Sequence, residues 1–368
     1  MKLEPGAERA HPLTRIIDAT LARSGGWLPF DRFMALALYA PGLGYYANDS
    51  RKFGQMPDSG SDFVTAPEMT PLFGQALAVQ VAEALEKTGT DTLWEFGAGS
   101  GALAAQLLDA LDAMGRRVKR YRIVDLSGSL RARQRLRLDR FGDRVEWLSA
   151  LPDAMQGVVV GNEVLDAMPV QLLVRVKGRW FERGVVAHGD GWAWEDRPTE
   201  LRPPVEPAGP QDYLTEIHPQ AEAFIATLAD RLTQGAAFFL DYGFPEAEYY
   251  HPQRHMGTVM CHKSHQADPD PLVDLGAKDI TAHVNFTGIA LAGQDAGLHV
   301  LGYCNQARFL INCGLASKME LAPLAQRTLA ARLIHEHEMG ELFKVIGFSV
   351  GEPWDAVGFA QGDRSHTL

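Results

Sequence analysis

Leu93-Trp94-Glu95-Phe96-Gly97-Ala98-Gly99-Ser100-Gly101-Ala102-Leu103 is the stretch that decides the fold. A short apolar strand runs into three glycines at alternate positions, and an alanine- and leucine-rich helix follows. The turn carries almost no side chains, so a flat, partly charged ligand can lie against bare backbone at a helix N-terminus. Dinucleotides and S-adenosylmethionine both use such a turn. Gly97, Gly99 and Ala102 also satisfy the dinucleotide fingerprint, so glycine spacing does not separate the two. Two features favour the methyl donor. Glu95, at the strand's end, can face the ligand's ammonium, whereas beside a diphosphate it would meet like charge. Gly101 leaves the turn open for an adenosyl ligand. A turn that only opens a helix is the weaker reading, because three turn glycines after a buried strand are seldom structural alone.

The next strand, residues 121–126, ends in Asp125, which can accept hydrogen bonds from both ribose hydroxyls in either ligand class. Asp125 lies further from the glycines than the usual ~20 residues. A helix over 103–114 and the basic turn 116–120 account for the distance. Asp125 could instead cap the helix that starts near Ser129, a role for which Ser127 competes.

The chain has 368 residues, enough for one large α/β domain with additions or for two domains. Its net charge of −11 disfavours nucleic acid or an anionic membrane as main partner and suits a basic protein or peptide. The locally basic run 131–140 reads as the solvated face of a helix. Cys261, Cys304 and Cys313 are widely spaced without a CxxC pair, which points to a reducing, cytosol-like compartment. No apolar run reaches the ~18–20 residues of a membrane span. The N-terminus resembles neither a secretory signal nor a transit peptide, so the expected location is cytoplasmic.

Residues 1–88 read as an N-terminal helical cap segment with a glycine-rich break. Residues 89–169 hold the first half of the main domain, with strands at 92–96, 121–126, 144–149 and 157–164 alternating with helices as in a parallel sheet. Residues 170–216 change rhythm to short antiparallel strands and a proline-rich stretch, a β-rich insertion. Residues 217–368 return to the main domain, with a strand near 236–241, helices at 286–296, 306–313 and 318–337, and strands at 298–304 and 343–350.

Chemistry in open α/β sheets gathers at the carboxyl ends of strands. There the fourth strand carries Asn162, Glu163 and Asp166 before Pro169. If the strand ends at that point, a turn can bring Asn162 and Glu163 into one pocket, and Glu163 and Asp166 share a side of a helical turn. Capping and a surface acid are the plainer alternative. Paired carboxylates beside a methyl donor suit a cationic acceptor. A guanidinium stays protonated in water, and carboxylates gripping it can orient one nitrogen toward the methyl group. Cys261, His262, His265 and His283 match no standard zinc spacing, so no metal is expected, and His262 is a candidate proton acceptor.

Together these motifs resemble the MidA family of S-adenosylmethionine-dependent methyltransferases. The likeness runs through Leu38-Tyr39 to Gly44-Tyr45-Tyr46, Asp62 to Glu68 with Leu72-Phe73-Gly74, and Glu95-x-Gly97-x-Gly99-x-Gly101. It continues through Asp125-x-Ser127 with Leu130-Arg131 and Gln134, Asn162-Glu163 with Asp166 to Pro169, Asp241-Tyr242-Gly243, His262 and Asp279 to Val284. It implies a Rossmann-like, seven-stranded class I methyltransferase sheet with S-adenosyl-L-methionine bound by Glu95, Gly97, Gly99, Gly101, Asp125 and Ser127. It also implies a protein arginine as acceptor; mitochondrial members of the family methylate a core subunit of respiratory complex I. Asn162, Glu163, Asp166 and His262 are the residues expected to act on the acceptor. Ala98, Ser100, Asp125 (for a more common glutamate), Gly128, Met168 and Asn285 depart from the family pattern, and Asn285 stands where the family has an aspartate near the acceptor. A nicotinamide-dependent oxidoreductase on the same glycine turn, or a non-catalytic assembly factor on the same fold, are the competing readings.

Overall fold

A computed structural model of the chain describes residues 11–48, 65–125, 128–263 and 266–368. The expectations for residues 62–64, Ser127 and His265 lie outside the described residues.

Helices Pro12–Arg23 and Phe30–Tyr39 flank a short strand, β1 (Trp27–Pro29), that the helical reading of this segment lacked. Gly25 and Gly26 both take positive φ there, which ends the first helix and extends the chain. After helices Ala66–Met69 and Pro71–Thr88 the main sheet begins with β2 (Thr92–Phe96), β3 (Arg120–Val124), β4 (Val145–Leu148) and β5 (Met155–Asn162). These four pair in parallel, with helix Ala102–Ala113 after β2 and Gly128–Leu138 after β3.

The next strands are antiparallel: β6 (Gln171–Val176), β7 (Arg179–His188), β8 (Gly191–Pro198) and β9 (Tyr213–Ile217). They form a separate sheet in the order β1-β7-β6-β9 with β8 also on β7, so the N-terminal segment contributes one of its strands. Lys177 and Gly178 both have positive φ, the conformation a tight two-residue hairpin turn needs. Helix Pro219–Arg231 leads into β10 (Leu232–Phe244), parallel to β5. A small antiparallel sheet follows, made of β11 (Met260–Lys263), β12 (Gln266–Asp268) and β13 (Asp279–Thr281). β14 (Val284–Asn285) adds to the end of β10, and helix Phe286–Asp295 leads to β15 (His299–Asn305).

The last strand, β16 (Phe343–Ser349), runs antiparallel between β10 and β15, which completes the order β15-β16-β10-β5-β2-β3-β4. Seven strands make that path, as the class I methyltransferase expectation requires, and β14 is an eighth beside it. The helix expected over 318–337 is instead two, Leu315–Leu321 and Leu324–Ile334. Pro323 lies between them, and without an N–H it cannot continue the hydrogen-bond ladder.

Alternation along β2 separates the two cores. Leu93 packs with the helices Pro71–Thr88 and Ala102–Ala113, while Trp94 and Phe96 pack with Pro219–Arg231 and Phe286–Asp295. A third core joins the two N-terminal helices to β6, β7 and the small sheet.

β5 and β10 pair Gly157 with Gly235, and both take positive φ. A Cβ on Gly157 would lie 2.2 Å from the Thr92 carbonyl oxygen of β2. Gly157→Ala is therefore expected to destabilise the fold by about 3 kcal/mol or more, read as a lower urea midpoint. A midpoint equal to wild type would show that the central strands can part at that point.

Candidate active site

A cavity of about 2270 Å³ opens over the carboxyl ends of β2, β3 and β5, where an open α/β sheet places its ligands. Gly97 (φ 63°), Gly99 (φ 51°) and Gly101 (φ 81°) line the turn in left-handed backbone that residues with a Cβ adopt at a cost. A Cβ on Gly97 would reach to 3.1 Å from Val164 Cγ2, across the cavity floor. Glu95 ends β2, lines the cavity and is 2 % exposed. The Tyr121 hydroxyl donates to Glu95 Oε2 at 2.7 Å. Burial pushes the Glu95 carboxyl up to about 8, the Tyr121 bond opposes the rise and the nearby Asp125 charge adds to it.

Asp125 lines the same cavity one strand over. Gln134, wholly buried, holds it: its Nε2 donates to Asp125 Oδ2 at 2.8 Å and to the Gly99 carbonyl at 3.0 Å. Its Oε1 accepts from Trp147 Nε1 at 2.9 Å. One amide thus ties the glycine turn to β3 and β4. The result is a bare-backbone cradle with an acid at each end, which fits a nucleoside carrying an amino-acid tail. Glu95 becomes negative only when a cation or high pH removes its proton, so the pair of acids favours a cationic tail and offers a diphosphate no positive partner.

The basic helix Gly128–Leu138 is not merely a solvated face. Arg131 Nη2 donates to the carbonyls of Asp125 at 3.0 Å and Leu148 at 3.3 Å. Arg137 pairs with the buried Glu68 at 3.0 Å, and Glu68 also accepts from the Ser100 hydroxyl in the donor turn. Two of its four arginines, Arg131 and Arg137, thus clamp carbonyls and a carboxylate around the cradle.

The opposite wall follows β5. The strand stops at Asn162 rather than continuing to 164, and Glu163 takes φ 54°, a left-handed conformation that costs a non-glycine residue energy. This break turns Asn162, Glu163 and Asp166 into the cavity together. Asp241, near the end of β10 and 1 % exposed, holds the break. Its Oδ2 accepts from the N–H groups of Val164 at 3.1 Å, Leu165 at 2.8 Å and Asp166 at 3.3 Å, and its Oδ1 from Tyr242 N–H at 3.0 Å. Asn162 Nδ2 donates to Glu163 Oε1 at 2.9 Å, and the Ala66 N–H also bonds the Glu163 carboxylate. Burial, with the neighbouring Asp166 charge, pushes Glu163 up to about 8. Burial raises Asp166 and Asp241 as well. Asn162 Oδ1 and Asp166 Oδ1 are buried acceptors with no donor among the described residues.

His262 lines the cavity from β11, and burial lowers its pKa. Its neighbour Cys261 points the other way, into the N-terminal core, so the two do not face one site. His283 lines the cavity with its pKa down to about 4 through burial. Asn285 is buried at the N-terminus of helix Phe286–Asp295, where its Oδ1 accepts from Gly288 N–H at 3.3 Å. An asparagine caps a helix as well as an aspartate, so this departure changes a cap. Sequence reading passed over Asp241, Tyr242, Asp279, Tyr39 and Tyr46 as site residues, quoting them only within motifs. Tyr46 meets Asp279 across 233 residues of chain, a pairing that no local pattern announces.

The family described as "Putative S-adenosyl-L-methionine-dependent methyltransferase" matches residues 76–304. A crystal structure from Burkholderia thailandensis with S-adenosyl-homocysteine bound is 48 % identical and superposes with a TM-score of 0.94, covering 100 % of this chain and 99 % of that one. The human protein arginine methyltransferase NDUFAF7, mitochondrial, is 26 % identical over 86 % of this chain and 77 % of its own length. The Caenorhabditis elegans homolog is 26 % identical over 86 % and 80 %. Among the described residues no helix is long and apolar enough to cross a membrane. The expected cytoplasmic location finds no support in the relatives' names, which say mitochondrial.

Asp241→Ala leaves four backbone N–H groups, at Val164, Leu165, Asp166 and Tyr242, without their acceptor, and a loss of about 3–5 kcal/mol is expected in chemical denaturation. Asp241→Asn is expected to lose part of this, because its NH₂ must face either Tyr242 N–H or the 164–166 turn. Wild-type stability in Asp241→Ala would mean that the break at Glu163 is held by something else.

Proposed function

We propose that this chain, which belongs to the S-adenosyl-L-methionine-dependent methyltransferase family matched over residues 76–304, methylates an arginine side chain of a protein partner. The observation that carries the acceptor reading is the wall formed by Asn162, Glu163 and Asp166. It puts buried carboxyls and donor-seeking oxygens in the cavity that also holds the glycine turn. A guanidinium offers five N–H donors and a fixed positive charge to such a wall. The names of the curated relatives support the same acceptor, and the MidA resemblance makes a core subunit of respiratory complex I the candidate partner.

Glu95, Gly97, Gly99, Gly101, Asp125 and Ser127 hold the donor in this reading. The donor supplies an electrophilic methyl group on a sulfonium. Glu95 grips its ammonium and Asp125 its ribose hydroxyls, so the methyl group is aimed at the far wall. Asn162, Glu163 and Asp166 grip the guanidinium and localise its charge away from the attacking nitrogen. Glu163, raised to about 8, can take the proton that the methylated nitrogen sheds. His262, kept neutral by burial, can pass it outward. The four-part division at 1–88, 89–169, 170–216 and 217–368 belongs to the same proposal: the cap borders the cavity through Tyr39 and Tyr46, while the insertion, expected over the pocket, packs on the N-terminal helices and contributes no residue to the cavity's described lining. So does a reducing compartment, which suits three free, buried cysteines.

Two measurements test this. Glu163→Gln should cut transfer of labelled methyl to protein in cell extract by about 10²- to 10⁴-fold, while S-adenosylhomocysteine still binds. Mass spectrometry of the labelled wild-type product should find the methyl on arginine, and label on another side chain would reject the acceptor. The second test uses pH. The donor-free Glu95 carboxyl keeps its proton up to about pH 8, and the ligand's ammonium favours the ionised form. Affinity for S-adenosylhomocysteine should therefore rise with pH, by up to about tenfold per unit below that value, and then level off. Glu95→Gln should bind more weakly with a flat profile. A flat wild-type profile would separate Glu95 from the ammonium.

A further inference from the structure

The acceptor wall described so far supplies one side of a grip. A further side is built from Asp279, Thr281 and His283 and from Tyr39 and Tyr46 of the N-terminal segment, all bordering the same cavity. Asp279, 2 % exposed, is fixed at both oxygens: the Tyr46 hydroxyl donates to Oδ2 at 2.7 Å and Ile280 N–H to Oδ1 at 2.9 Å. Tyr46 stacks on Tyr39 with ring centroids 5.6 Å apart and planes inclined by 19°. Tyr39 is in turn pinned by its hydroxyl, which donates to the Ala167 carbonyl at 2.8 Å, next to Asp166. Asp279 is close enough to act electrostatically on both Glu163 and Tyr39. In the same cavity, Asn162 Oδ1 and Asp166 Oδ1 are buried acceptors with no donor among the described residues, and the Ala282 N–H bonds the Asp166 carbonyl at 2.9 Å, which joins the two segments.

We propose that Asp279, positioned by Tyr46, is a specificity-determining residue that takes the second edge of the acceptor guanidinium, with the Tyr39–Tyr46 pair bordering its plane. The inference rests on the arginine reading above and deepens it. A guanidinium is planar and presents donors along two edges, so it can bridge Glu163 and Asp279 while lying against an aromatic face. A lysine ammonium is a compact charge with three donors on a flexible stem, and it has neither the donor edges in one plane nor the flat face that stacks on an aromatic ring. Two carboxylates beside a flat aromatic surface therefore select arginine over lysine, which the Asn162–Glu163–Asp166 wall alone does not.

The probe is the acceptor polypeptide that the wild-type chain labels in extract, with its target arginine intact or changed to lysine. Asp279→Asn is expected to raise KM for the arginine form at least about tenfold and to narrow the arginine-over-lysine ratio by a similar factor. The Kd for S-adenosylhomocysteine and the thermal midpoint should stay near wild type. Tyr46→Phe keeps the ring and removes the hydroxyl that holds Asp279, so it should shift KM in the same direction by less. An unchanged KM or an unchanged ratio in Asp279→Asn overturns the proposal. If that variant does not fold, an unchanged KM in Tyr46→Phe overturns it. Label found on a residue other than arginine in the wild-type product instead rejects the underlying acceptor reading, whatever the variants do.

Discussion

Four hydrogen bonds to the Asp241 carboxyl set the geometry of this protein's cavity. A parallel strand ordinarily runs out of its sheet into a loop of no fixed shape. Here β5 stops at Asn162 because the next backbone N–H groups turn toward a carboxyl on the neighbouring strand. Glu163 N–H bonds the Leu240 carbonyl at 2.9 Å, so the same strand secures both sides of the break. That arrangement holds Glu163 in left-handed backbone and aims Asn162, Glu163 and Asp166 into the space above β2. Buried hydrogen bonds to a carboxyl are among the strongest a fold can use, which is why strain at one residue can be held there.

The electrostatics of the cavity follow from how it is enclosed. Among its described lining residues are six carboxyls, Glu68, Glu95, Asp125, Glu163, Asp166 and Asp279, against two guanidiniums, Arg254 and Arg332. Burial raises Glu95, Glu163 and Asp166 because each loses water without gaining a full positive partner. Such a cavity favours cations, and it does so at two separated places. Glu95 and Asp125 flank the glycine turn, while Glu163, Asp166 and Asp279 line the cavity away from it. On the function proposed above, the two places take a sulfonium donor and a guanidinium acceptor. The Glu68–Arg137–Ser100 contact spans the junction: it ties helix Ala66–Met69, whose Ala66 N–H reaches Glu163, to the donor turn.

The donor turn was legible because its signal is local. Three glycines at alternate positions between an apolar strand and a helix leave few conformations other than the one found. The parallel sheet was legible from the alternation of strands and helices, and the acid just after β3 from its place in that alternation; the order of the strands was not. The break at Asn162 was legible as a possibility, since two adjacent polar residues cannot both face one side of a strand. Other features were not readable in this way. Asp241 reads as one more acid at a strand end until the register of β10 on β5 places it beside the 164–166 turn. Arg131 and Arg137 read as surface charge until Glu68 and two carbonyls come within reach. Pro323 was in plain view, and the apolar spacing on either side of it outweighed its missing N–H in the reading of one long helix.

What the sequence alone determined is therefore the donor half of the protein: the turn, the acids at the ends of its first two strands, and the sheet that carries them. Each of those depends on residues within a few positions of one another, where backbone sterics and hydrogen bonding act directly. The other half of the cavity was decided by tertiary structure, because its parts come from β5, β10, β13 and the N-terminal helical segment. Tyr46 and Asp279 touch only after the small sheet packs on the N-terminal helices, and a contact formed across that much chain leaves no periodic trace in the sequence.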